Sequence, residues 1–212
     1  MKVIIFAANG YLGKVLVHHF VQKQDEVVAI TRNPCSFSKG VKNLLWDGKT
    51  VETNWAESLN AADVIINLAG KSVNCRYNER NKRESFDSRT LATQAIEKAF
   101  ASCEIAPKLW INSASATIYR HAEDRAMDEF SGEIGTGFSV EVCQKWEKTF
   151  FESETPKTRK IALRMAIVLG KSDGVFVRLR NLVRLPLRGC EDDMAMSDSG
   201  NKLRTAGTCP FA

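Results

Sequence analysis

Short runs of apolar, often β-branched residues alternate along the first 170 positions with longer stretches whose apolar residues recur at helical spacing. Lys2 to Ala7 and Glu26 to Thr31 read as strands. Between them, Tyr11 to Lys23 sets Tyr11, Leu12, Val15, Leu16, His19 and Phe20 on one helical face, completing a βαβ unit. Asp63 to Leu68, Leu109 to Ala114 and Ile161 to Leu169 are near-continuous apolar runs, as strands covered on both faces are. Ser85 to Ala101 and Phe138 to Glu152 read as helices. Strands alternating with helices predict an α/β fold, a parallel sheet with right-handed crossovers and helices on both faces. Asn33-Pro34, Pro107 and the glycines between Gly132 and Gly137 punctuate these elements.

Beyond Gly170 the pattern degrades. Gly174 to Leu187 reads as one basic helix broken at Pro186, and Gly189 to Ala212 is polar and aperiodic, a loose tail by expectation. The expected organisation is a ligand-binding domain over residues 1–170 and a partly irregular remainder over 171–212.

Composition narrows the class. The chain has 212 residues, 44% hydrophobic and 26% charged, enough to bury a core and too balanced for disorder. No apolar run reaches the roughly 18 residues of a membrane span, and the first apolar run is too short for a signal peptide, so a cytoplasmic protein without membrane contact is expected. Six cysteines without a C-x-x-C pair suggest reduced, mostly buried thiols rather than disulfides or zinc. His18, His19 and His121 lack metal-ligand spacing, and His19 is expected to pack on the first helix. Trp46, Trp55, Trp110 and Trp146 are too dispersed for a recognition stripe and belong to core or rim. Charge is uneven: Lys157 to Arg188 carries nine basic residues against one acid, Asp173, in a chain of net +5. Without interleaved aromatics this block suits a phosphate-bearing small ligand better than nucleic acid.

The chemistry concentrates at F-A-A-N-G-Y-L-G, Phe6 to Gly13, directly after a strand and opening a helix. Glycines there allow a tight turn and let helix amides approach a pyrophosphate, the fingerprint of a doubly wound Rossmann domain. Gly10 and Gly13 occupy two of the three expected positions; Ala7 replaces the first and is expected to keep a negative φ. Eighteen residues after Gly13, Thr31-Arg32 ends the second strand where an NAD site places an acid for the ribose 2′-hydroxyl. A carboxylate there would repel a 2′-phosphate, whereas the Arg32 guanidinium pairs with it, so NADP(H) is the expected cofactor.

With Asn67-Leu68-Ala69-Gly70 and the run Ser113-Ala114-Ser115-Ala116-Thr117-Ile118-Tyr119, the chain resembles extended short-chain dehydrogenase/reductases of the NAD-dependent epimerase/dehydratase type. Arg76 to Arg89, and Phe138 to Glu147 with Val142, Cys143, Trp146 and Glu147, are similar to an atypical subgroup called epimerase family proteins or nucleoside-diphosphate-sugar epimerases. The resemblance covers about Met1 to Leu185. It implies that Ala7, Asn9, Gly10, Tyr11 and Leu12 contact the pyrophosphate, Arg32 the 2′-phosphate, Trp46-Asp47 the adenine side, and Leu68, Ala69 and Gly70 the nicotinamide ribose. Thr31, Arg89 and Ser113 complete the expected cofactor-facing set. Ser115 falls on the serine that polarises a substrate carbonyl in sugar-nucleotide epimerases.

The departures matter as much. The family's catalytic tyrosine, and the lysine four residues on that lowers its pKa, are replaced by Ser139 and Cys143 when aligned on Glu147. Arg89 stands where many relatives carry an active-site asparagine, and Tyr119 is the remaining tyrosine near the serine run. Relatives continue after the position of Gly170 into a substrate-binding region whose W-[IV]-H-[IV]-x-D segment is not recognisable here, so a C-terminally truncated substrate domain is expected. Two readings stand: an NADP(H)-dependent oxidoreductase or epimerase acting on a carbonyl or sugar-nucleotide substrate through Ser115 and Tyr119, or a silent NADP(H)-binding module that senses or scaffolds. A homodimer through the helices at 85–101 and 138–152 follows by family analogy.

Overall fold

A computed structural model describes residues 1–73, 75–170 and 175–184. In chain order they form β1 (Lys2–Phe6), α1 (Tyr11–Gln22), β2 (Glu26–Thr31), β3 (Lys42–Leu45), α2 (Thr53–Ala56), β4 (Val64–Asn67), α3 (Glu79–Phe100), β5 (Leu109–Ser115), α4 (Phe138–Glu152), β6 (Arg159–Met165) and α5 (Val175–Arg184). Two compact units divide the chain, Met1–Val168 and Leu169–Ala212. The break expected at Pro186 and the tail from Gly189 lie outside the described residues.

The first unit is a six-stranded sheet of order β3-β2-β1-β4-β5-β6, with every pairing parallel. This is the doubly wound Rossmann order, and the chain reverses its direction of travel across the sheet between β1 and β4, where such sheets open a ligand crevice. Strand alternation divides the core. Ile4, Phe6, Val28, Ile30, Ile65 and Trp110 pack with Trp55, Phe150 and the α3 residues Ala92, Ala95, Ile96 and Ala99. Val3, Ile5, Val27, Ala29 and Ile66 face Val17 of α1 on the other side. Small residues on α3 let it settle close to the sheet. All four tryptophans are buried.

Several expectations need correction. Val15 is 46% exposed and His19 is exposed, whereas Gly13 and Val17 are the buried α1 residues. The helix is rotated because Gly13 must meet the chain at Ala8. Helix α3 starts six residues before Ser85, where Asn78 caps it by accepting from the Asn81 amide at 2.8 Å. Its first turns are polar and supported by Glu79–Lys82 and Arg80–Glu84 pairs at 3.0 and 2.9 Å, so hydrophobic periodicity was silent there. β6 ends at Met165 rather than Leu169. Of the described thiols, Cys143 is buried and Cys35, Cys75 and Cys103 are half-buried.

Candidate functional site

At the carboxyl ends of the strands lies a crevice of about 880 Å³, bounded by the β1–α1 turn, the ends of β2 and β3, the residues after β4, and the crevice-facing side of α3. The β1–α1 turn is fixed by backbone. Ala8 donates to the Ile30 carbonyl at 3.2 Å and Gly10 to the Ala7 carbonyl at 3.2 Å. Ala7 adopts φ +57°, against the expected negative value: the turn still needs the left-handed conformation that glycine takes freely, at a cost of about 1–2 kcal/mol for alanine. No described side chain caps α1 at Gly10, and its first turn holds no acid. The amides there are free to meet an anion.

On the opposite wall, Asn67 organises the residues after β4. It is fully buried, donates to Asn112 Oδ1 at 2.7 Å and accepts from the Ala69 amide at 3.0 Å, so its carboxamide shapes Leu68-Ala69-Gly70. Thr31 is buried and uses its hydroxyl on the Asn33 carbonyl at 2.8 Å, holding the strand end from which exposed Arg32 leaves. Ala7, Asn9, Gly10, Tyr11, Leu12, Thr31, Arg32, Leu68, Ala69, Gly70 and Ser113 all line the crevice.

Arg89 does not. Its guanidinium donates to the carbonyls of Ser85 and Lys71 at 3.0 and 3.1 Å and stacks 5.2 Å over the Trp146 ring. Burial pushes its pKa down. It buttresses the Gly70-Lys71 backbone from behind.

Ser115 and Tyr119 are also absent from the lining. The Ser115 hydroxyl donates to Thr117 Oγ1 at 2.9 Å and accepts from the Thr117 amide at 3.2 Å, capping a short turn. Cys143, in the position of the family's lysine, is a buried thiol whose pKa burial raises. Tyr119 lines a second groove. Its hydroxyl accepts from Arg164 at 2.7 Å, and its ring lies where any side chain at Gly132 would collide. Tyr119, expected beside the cofactor with Ser115, thus lies in a different groove from the cofactor-facing residues, its hydroxyl engaged by Arg164.

The loop beside that groove is tied by charge. Arg120 donates to Asp124 at 2.9 and 3.0 Å and to Glu133 at 2.5 Å, and Arg125 donates to Glu133 at 2.7 Å. The Arg120 hydrogen bonds hold the Asp124 carboxyl down at about 2. A folded value below the unfolded one, near 3.9, supports the loop above about pH 4 and is lost as pH falls through the folded value. The Asp124 side-chain carboxyl resonance should accordingly titrate at about 2, with the Arg120 guanidinium protons shifting in step.

Sequence reasoning missed Lys49, Lys71, Glu84 and Asp87 in the crevice lining. Lys71 pairs with Glu84 and donates to Asn81 Oδ1 at 2.6 Å. An Asp-Gly turn signal in W-D-G-K-T marked the Lys49 segment; the others arrive through tertiary packing alone. Among the described residues, no cluster of His, Cys, Asp or Glu could hold a metal ion, and no helix is long and apolar enough to cross a membrane.

Comparison with known proteins places this geometry. The epimerase family protein SSP1921 of Staphylococcus saprophyticus is 26% identical over 178 residues, 84% of this chain and 58% of its own. Human epimerase family protein SDR39U1 is 27% identical over 194 residues, 89% of this chain and 62% of the relative. The crystal structure of human SDR39U1 with NADPH matches with a TM-score of 0.74 at 27% identity, over 87% of this chain and 60% of that one. MoeE5 in complex with UDP-glucuronic acid and NAD shares the fold, with a TM-score of 0.71 at 21% identity, over 89% of this chain and 62% of that one. The chain thus spans about three fifths of the length of these relatives. The profile of the NAD dependent epimerase/dehydratase family matches residues 3–136, and the chain belongs to that family.

Proposed function

We propose that this chain holds NADP(H) in the crevice at the β1–α1 turn and serves an oxidoreductase or epimerase reaction on a carbonyl or sugar-nucleotide substrate. The carrying observation is the juxtaposition of an uncapped α1 N-terminus, closed behind by Gly13, with Arg32 at the end of β2. In this reading the α1 amides hold the pyrophosphate and Arg32 the 2′-phosphate. Asn67 fixes the Leu68–Gly70 backbone beside the ribose. When bound, the nicotinamide supplies or accepts hydride, and the protein supplies orientation. Ser113 stands on the crevice wall, and Ser115 one strand repeat further carries the carbonyl-polarising role by analogy with the family. The setting is cytoplasmic, and two copies pair through α3 and α4.

Titration with NADPH and NADH tests the cofactor. NADPH should bind more tightly, and Arg32→Ala should weaken it roughly 10- to 100-fold with NADH nearly unchanged, since a charge-assisted bond contributes about 1.5–3 kcal/mol. Equal affinity for both dinucleotides overturns the assignment.

A second reading, cofactor binding without turnover, is favoured by Ser139 and Cys143 in the positions of the tyrosine and lysine and by the Tyr119 hydroxyl tied to Arg164. Following NADPH absorbance across carbonyl and sugar-nucleotide substrates separates the two readings. A rate abolished in Ser115→Ala supports the enzyme; binding with no rate on any substrate supports the silent module.

A further inference from the structure

We infer that Lys49 is a second cation for the dinucleotide's phosphomonoester, presented by a turn that Asp47 builds, and that Arg32 and Lys49 together set NADP(H) over NAD(H). This rests on the reading of the crevice as an NADP(H) site and extends it to a residue that neither the glycine motif nor the strand-end arginine identifies.

Both residues line the crevice and both are exposed, and the Arg32 side chain runs beside Gly48, the neighbour of Lys49. Neither forms an ion pair with a carboxylate among the described residues, in a chain where Arg120, Arg125, Arg164 and Lys71 all do. The turn between them is pinned at both ends. The Trp46 amide donates to the Thr31 carbonyl at 2.9 Å, tying the segment to β2 beside Arg32. The buried Trp46 indole donates to the Thr50 carbonyl at 2.7 Å. Within the turn, Asp47 Oδ1 accepts from the amides of Lys49 and Thr50 at 2.8 and 2.7 Å, and Oδ2 accepts from the Thr50 hydroxyl at 2.5 Å. Gly48 takes φ +90° at its apex, and the Arg32 side chain crosses it, with Cδ 3.9 Å from where a Cβ would stand.

Three consequences follow from that geometry. Both Asp47 oxygens accept within the turn, so this carboxylate positions the Lys49 backbone. The Lys49 amide is fixed by Asp47, and the residue is exposed on the crevice lining. And two cations flank one edge of the site, where a phosphomonoester carries about −1.5 to −2 charge at neutral pH. One guanidinium balances about half of that charge, and the Lys49 ammonium adds a second positive charge against the Asp47 carboxylate of the same turn, a gain absent with the neutral hydroxyl of NAD(H).

The test uses the whole chain with four probes: NADPH, NADH, adenosine 2′,5′-bisphosphate and AMP. Lys49→Met should lower affinity for NADPH and the bisphosphate roughly tenfold and leave NADH and AMP within about twofold, a split that a general loss of structure would not produce. Lys49→Arg should restore the preference, and the salt dependence of NADPH binding should be shallower in Lys49→Met than in the parent. A parent that prefers NADPH while Lys49→Met keeps that preference undiminished overturns the inference and spares the cofactor assignment. A parent with no preference at all overturns the cofactor assignment itself.

Discussion

Gly13→Ala should cost the protein both stability and its dinucleotide crevice. A Cβ built on Gly13 would lie 2.6 Å from Ala8 Cα, 2.6 Å from its carbonyl oxygen and 2.7 Å from its carbonyl carbon. All three are backbone atoms of the β1–α1 turn, so no side chain can rotate out of the way. Relief requires α1 to withdraw from the end of β1 by on the order of 1 Å, which strains the Val17 packing and moves the α1 amides off the position that meets an anion. Overpacking of this kind costs about 1–3 kcal/mol, and a domain of this size loses roughly 2–4 °C of Tm per kcal/mol. Thermal unfolding should therefore fall by several degrees, and NADPH titration should show no saturable binding. Gly10→Ala is the control. Its Cβ meets only the Ala7 carbonyl, at 3.6 Å, from a helix N-cap with φ −70°, so the fold should persist while binding weakens. A Gly13→Ala protein with unchanged Tm and NADPH affinity would show that the close approach is not what holds the crevice together.

The same contact explains what was and was not readable from the chain. β1, α1 and β2 were legible because β-branched runs, a glycine turn and helical spacing agree locally. The facing side of α1 was not, since the closest approach is made by a residue with no side chain to register in a hydrophobic pattern. β3 escaped notice because K-N-L-L is a four-residue edge strand with little buried surface. The first turns of α3 escaped because they are held by a cap and charge pairs and not by apolar spacing.

In the site, the residues carried by backbone motif were all readable: the glycine turn, the Leu68–Gly70 segment and the strand-end arginine fall on one crevice. Residues whose meaning depends on side-chain direction were not. Arg89 and Tyr119 sit at motif positions, but each turns its polar atoms into packing between elements distant in sequence, Arg89 onto Trp146 and Tyr119 onto Arg164. Spacing along one chain carries no information about that choice.

Arg164→Met should be strongly destabilising although Arg164 itself is outside the crevice lining. The guanidinium donates to Glu147 through Nε and Nη2 at 2.9 and 2.8 Å, donates to the Tyr119 hydroxyl through Nη1 at 2.7 Å, and stacks 5.1 Å over the Tyr119 ring. It thereby fastens β6, α4 and the segment after β5. The Glu147 side chain is 9% exposed and that of Arg164 27%. Removing the cation strands a desolvated carboxylate, whereas replacing both partners with apolar groups does not, which is the known asymmetry of buried ion pairs. Arg164→Met should then cost about 3 kcal/mol, at the lower end for a buried pair because Arg164 keeps part of its side chain in water, or roughly 6–12 °C of Tm. Glu147→Met combined with Arg164→Met should recover most of that loss. Because the pair lies outside the crevice lining, NADPH affinity measured well below the lowered Tm should match the parent. An unchanged Tm would deny the pair its structural role. A folded Arg164→Met protein that no longer binds NADPH would instead mean that this fastening reaches the crevice through β6, where Met165 follows Arg164 and lines it.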